Sequence, residues 1–129
     1  MTTTLQPTQG TNVTRSRWLA SENIGGASLL TPYETIFVTL NEGKIDDNWR
    51  LSRSIMLLVD REDDGWYVVS DDLFRVYGDA ANFRAALTEY ISALIDHYEF
   101  LERELRENSN HAVRREAEFA RRYLQRIPV

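Results

Sequence analysis

Apolar residues recur at helical spacing through the C-terminal half of the chain. With Leu94 set at zero and about 100° per residue, Phe83, Leu87, Tyr90, Tyr98, Leu101 and Leu105 fall within roughly 40° of its line. Ile91 widens that stripe on one side, while Arg84, Glu89, Asp96, Glu99, Arg103 and Arg106 lie away from it. The pattern predicts one long amphipathic helix over 80–107. Gly78 and Asp79 precede it, with the Asp79 side chain expected to cap it by accepting from the N–H of Ala81 or Asn82.

Upstream the period changes to two. Thr35, Phe37 and Thr39 alternate with Ile36, Val38 and Leu40, which predicts a strand over 34–40. Asn41-Glu42-Gly43-Lys44 reads as a turn, continued by Asp46-Asp47-Asn48 as loop. A second strand is expected over 55–60, and its unbroken apolar run Ile55 to Val59 suggests a central strand buried on both faces. Arg61-Glu62-Asp63-Asp64-Gly65 is a hairpin loop with glycine where a positive φ is needed. A third strand follows over 66–70, Asp71-Asp72 turns the chain, and a fourth strand is expected over 73–77. Residues 1–30, with six threonines and few periodic apolar positions, read as a polar N-terminal arm, and 31–129 as a single domain.

Length then constrains packing. The long helix spans roughly 42 Å, whereas a six-residue strand spans about 20 Å. The sheet can cover only part of the helix, so Tyr98, Leu101 and Leu105 need another partner. Asn108-Ser109-Asn110 breaks the helix, and a second helix is expected to about 126, with Val113, Ala117, Ala120, Leu124 and Ile127 in line. The segment 79–107 holds seven acids and three arginines, and 111–126 five arginines and two glutamates, so antiparallel packing is favoured by charge. The expected fold is α+β: a small antiparallel sheet of three or four strands, the long helix on one face, the second helix folded back on it.

Composition narrows function mainly by exclusion. The 129 residues carry a net charge of −5 and a pI near 5.0, so the whole molecule lacks the basic balance of a nucleic-acid binder. There are no cysteines, which removes disulfide and thiolate chemistry. No apolar run approaches a membrane span, and Met1 to Pro7 lacks the pattern of a signal peptide; the expectation is a cytoplasmic protein.

Candidate chemistry is sparse. Asp60, Glu62, Asp63, Asp64, Asp71 and Asp72 could supply oxygen ligands to a hard cation, but their spacing is not that of an EF-hand and solvated turn acids are the simpler reading. His97 and His111 belong to no metal-ligand spacing, and Gly25-Gly26 lacks the lysine and helix of a phosphate loop. Arg114, Arg115, Arg121, Arg122 and Arg126 cluster opposite the second helix's apolar line and form a candidate phosphate-gripping face, or simply a solvated one. Phe119 and Tyr123 flank that line and, with Trp66, are candidate interface residues.

The run Asp64-Gly65-Trp66-Tyr67-Val68-Val69-Ser70, then Asp72-Leu73, Gly78-Asp79 and Ala85-Ala86-Leu87, resembles the N-terminal domain of HicB-type antitoxins over about 54–95. In that family a D-G-x-Y hairpin leads through a P-D-L-P-G turn to G-D-T-x-E-E-A-L at a helix start. Here the turn is Asp72-Leu73-Phe74-Arg75, and Ala80-Ala81-Asn82-Phe83-Arg84 follows the Gly-Asp. The resemblance implies a HicB-like fold without the DNA-binding half and a small basic toxin-like partner. The functional expectation is a non-enzymatic protein-interaction or regulatory module without a cofactor. Nucleic-acid binding through the arginines, and a small hydrolase or metal-binding protein using the turn carboxylates, are the alternatives. Apolar side chains on both faces of the sheet further suggest a homodimer.

Overall fold

The computed structural model describes residues 13–16, 35–107 and 110–128. It is an α+β fold with ten elements: β1 (Val13–Ser16), β2 (Thr35–Leu40), β3 (Gly43–Lys44), β4 (Trp49–Leu51), β5 (Ile55–Arg61), β6 (Tyr67–Ser70), β7 (Tyr77–Ala80), α1 (Phe83–Glu107), α2 (His111–Arg121) and β8 (Leu124–Arg126). One antiparallel sheet runs β1-β2-β5-β6-β7, and a smaller one runs β3-β4-β8. Of the arm read over 1–30, residues 13–16 form β1 beside β2; the others, with Gly25 and Gly26, lie outside the described residues.

The helical stripe becomes the core. Leu87, Tyr90, Ile91, Leu94, Tyr98 and Leu101 are buried, against Ile36, Val38 and Leu40 of β2, Ile55, Leu57 and Val59 of β5, and Val69 of β6. The β5 strand is central, but only one face is closed: Met56 is 56% exposed and Leu58 half-buried. The expectation of burial on both faces therefore fails. An apolar run reports strand hydrophobicity, not how many layers cover it.

Two boundaries also differ from expectation. The fourth strand starts at Tyr77, not 73, because Asp71 captures the N–H groups of Phe74 and Arg75 and Arg75 takes a φ of 59°. Gly78 and Asp79 lie inside β7 and do not cap α1. Asn82 does so, accepting from the N–H of Ala85 at 2.9 Å. Gly78 is needed where it stands, since a Cβ there would lie 2.2 Å from the backbone nitrogen of Tyr90. Its absence lets α1 approach the strand at backbone distance.

As expected, the second helix packs against the far part of α1, burying Ala117 and Ala120. It is shorter than its apolar line suggests. Asn110 caps it, accepting from Ala112 and Val113, and it ends at Arg121. Leu124–Arg126 instead pairs with β4, placing Leu51 opposite Leu124 and Trp49 opposite Arg126. The turn and loop read over 41–48 contain β3 and lead into β4. These strands of two or three residues are too short to show a period. Trp49 is buried and meets the Tyr98 ring edge-on at 5.3 Å, so the small sheet closes the end of α1 that the large sheet leaves open.

Candidate interaction surface

The large sheet presents its second face outward. Register aligns Phe37, Leu58, Ser70 and Tyr77 in one row across β2, β5, β6 and β7. Thr39 and Met56 form the next row on one side, and Thr35, Asp60, Val68 and Asp79 the next on the other. Met56 and Tyr77 are 56% and 62% exposed, unusual for large apolar groups on regular strands. In these four strands the charged residues of that face are Asp60 and Asp79. Asp60 is held in place by the Thr35 hydroxyl, which donates to it at 2.7 Å.

The segment 71–76 borders this face. Asp71 is buried: its Oδ1 accepts from the N–H groups of Phe74 at 2.6 Å and Arg75 at 2.9 Å, and its Oδ2 accepts from the Tyr90 hydroxyl. The solvated reading of Asp71 is thereby corrected. Burial, reinforced by the charge and hydrogen bond of Asp71, pushes the Tyr90 phenol well above its ordinary pKa of 10.0. Tyr90 thus stays a donor. With the segment fixed, Leu73 turns outward, 40% exposed, and Phe74 turns inward. A cleft of about 350 Å³ opens beside Leu73, lined by Phe37, Met56, Leu58 and Asp72. Apolar side chains dominate its lining, with Asp71 and Asp72 supplying its carboxylates.

Phe74 contacts the residues that the sequence suggested as interface aromatics. Its ring lies 5.5 Å from both Phe119 and Tyr123, which are 5.4 Å from each other, and 6.4 Å from His97. Arg53 stacks over Tyr123 at 5.8 Å. Phe119 and Tyr123 are half-buried within this intramolecular cluster, whereas Trp66 is 45% exposed beside the hairpin loop. Phe74 was not singled out in the sequence. The readable signal was an aspartate three residues before a phenylalanine, an Asx-type turn that flips alternate side chains to opposite sides.

The five arginines do not form one helical face. Arg126 belongs to β8, stacked over Trp49 at 4.4 Å and paired with Glu99 at 3.7 Å and Glu102 at 3.5 Å. Arg121 reaches Tyr98, whose phenol is raised by burial and by its hydrogen bond to Glu102, against the opposing pull of Arg121. Arg114, Arg115 and Arg122 remain exposed, and among the described residues none of them forms an ion pair.

The turn carboxylates are dispersed. Asp64 accepts from the Trp66 N–H at 3.0 Å, Asp60 serves Thr35 and Asp71 faces the core. Among the described residues, no three His, Asp or Glu side chains converge to hold a metal ion. His111 is exposed at the start of α2. Among those residues, too, no helix is long and apolar enough to cross a membrane. Comparison with protein-family models, curated proteins and solved structures returns no match for this chain.

Proposed function

We propose that this chain is a non-enzymatic protein-interaction or regulatory module, antitoxin-like in the manner of the HicB resemblance, which docks a small basic protein on its outer sheet face. The observation that carries the reading is the outward pair Leu58 and Tyr77 with Met56 and Leu73 beside it, bordered by Asp60, Asp72 and Asp79. An apolar centre with a charged rim is the anatomy of a recognition surface. Acidic rims favour a basic partner and steer its approach. A second copy of the chain meeting this face symmetrically would oppose Asp60 and Asp79 to like charges, so it fits less well.

The test is affinity capture from the native host, comparing the wild type with Met56→Glu and Leu73→Glu. Both sites are exposed, so the variants are expected to keep the wild-type melting temperature. The expected result is a small basic protein retained by the wild type and lost from both variants. Retention of the same partner by both variants would place the contact elsewhere. The exposed Arg114, Arg115 and Arg122 support a second reading as a phosphate-binding face. That reading requires salt-dependent retention on heparin that weakens in an Arg114→Gln/Arg115→Gln double variant.

A further inference from the structure

A second cleft lies along one flank of α1, beside the core residues Ile45 and Ile91. Its volume is about 360 Å³, and it is formed where the connection between β3 and β4 approaches the helix. Ile45, Ile91 and Ile95 make an apolar floor. Asp46 stands on the connection and Asp96 on the helix, with Thr88 and Ser92 on the same helical turns as Asp96.

Every polar group around this floor offers oxygen lone pairs, and no lining residue is cationic. The Asp46 carboxylate is oriented by the turn: its Oδ1 accepts from the N–H groups of Asn48 at 2.8 Å and Trp49 at 2.9 Å, leaving Oδ2 unused among the described residues. The Thr88 hydroxyl donates to the carbonyl of Arg84 at 3.1 Å, so only its acceptor capacity remains. Lys44, the nearest cation along the connection, is paired with Asp47 at 3.8 Å. Two carboxylates from different elements, in a cleft also lined by three isoleucines, are complementary to a ligand with a cation at each end and methylenes between them. A simple cation would leave the floor uncovered, and a neutral chain would leave the carboxylates unpaired.

We infer that this cleft binds a free linear aliphatic diamine. One ammonium would donate to Asp46 Oδ2 and the other to Asp96, with Ser92 and Thr88 as further acceptors and the chain lying on Ile45, Ile91 and Ile95. The site is independent of the outer sheet face and of the partner proposed for it.

Isothermal titration calorimetry on the whole chain tests the inference, with diaminobutane and diaminopentane as ligands. Pentylamine, pentanediol and tetramethylammonium are the controls. The expected result is saturable one-to-one binding of at least one diamine, with pentylamine at least about fivefold weaker. Asp96→Asn should weaken the diamine by about fivefold, and Ile95→Ser, which removes floor without altering charge, should weaken it as well. Both variants change exposed or half-buried positions, and circular dichroism verifies their fold. Amide shifts should concentrate at Ile45, Ser92, Ile95 and Asp96. Binding that does not saturate, that is equal for diamine and tetramethylammonium, or that persists unchanged in Asp96→Asn overturns the site.

Discussion

A carboxylate buried in hydrocarbon is costly unless donors surround it, and Asp71 meets that condition with two backbone N–H groups and the Tyr90 hydroxyl. This single side chain stops strand pairing after β6, turns Leu73 out and Phe74 in, and ties the segment to α1. Tyr90→Phe keeps the ring and removes one donor; the expected loss is about 1–3 kcal/mol at neutral pH, read by urea denaturation. The same pair sets a pH dependence. Tyr90 is held protonated in the fold well above 10.0, mainly by burial and then by Asp71. Its contribution is complete below that ordinary value and falls as pH rises above it, where the unfolded chain releases a proton the native state keeps. Tyr90→Phe is expected to flatten this alkaline decline, and equal slopes for both proteins above pH 10.0 would refute the account. The buried pairing of Asp71 with Tyr90 was not legible beforehand, since Asp71-Asp72 looks like any polar turn.

At the scale of elements, α1 was legible because seven apolar positions over six turns leave one buried direction. The strand over 35–40 was legible for the same reason at period two, that over 55–61 from its unbroken apolar run, and that over 67–70 from its place after the hairpin loop over 61–65. The shorter elements were not. A strand of two or three residues has no period, so β3, β4 and β8 exist only because each finds a neighbour to pair with. Ser52 donating to the Tyr123 carbonyl at 2.8 Å and Ile127 donating to Asn48 at 2.8 Å fasten that second sheet. Gly78 shows how one position can be read two ways: Gly-Asp before a helix suggests a cap, yet the glycine serves the contact between β7 and α1. Gly78→Ala is expected to cost about 3 kcal/mol, because its Cβ would meet backbone atoms of α1 that cannot rotate away. Thermal unfolding should show a drop of about 10 °C or more. An unchanged melting temperature would mean that strand and helix do not approach as described.

At the scale of the molecule, the outer sheet face is the surface through which we propose that the chain meets others. Met56 and Tyr77 favour association, while Asp60 and Asp79 oppose a symmetric contact between copies until salt screens them. We expect sedimentation equilibrium at high micromolar concentration to show dimers in high salt and monomers in low salt, with Met56→Lys abolishing the association. Association that ignores both salt and the substitution would place the self-contact on another surface. The candidate sites divide along the same line. The sequence by itself determined the α+β class, the long helix and its stripe, the three longer strands and the return of a second helix, because periodic apolar positions specify which side of each element must be buried. Only the tertiary structure decided that β5 is covered on one face, that Phe119 and Tyr123 gather around Phe74, and that Arg126 leaves the arginine group to stack on Trp49. Those outcomes depend on which surfaces meet across distant parts of the chain, and local spacing carries no record of that distance.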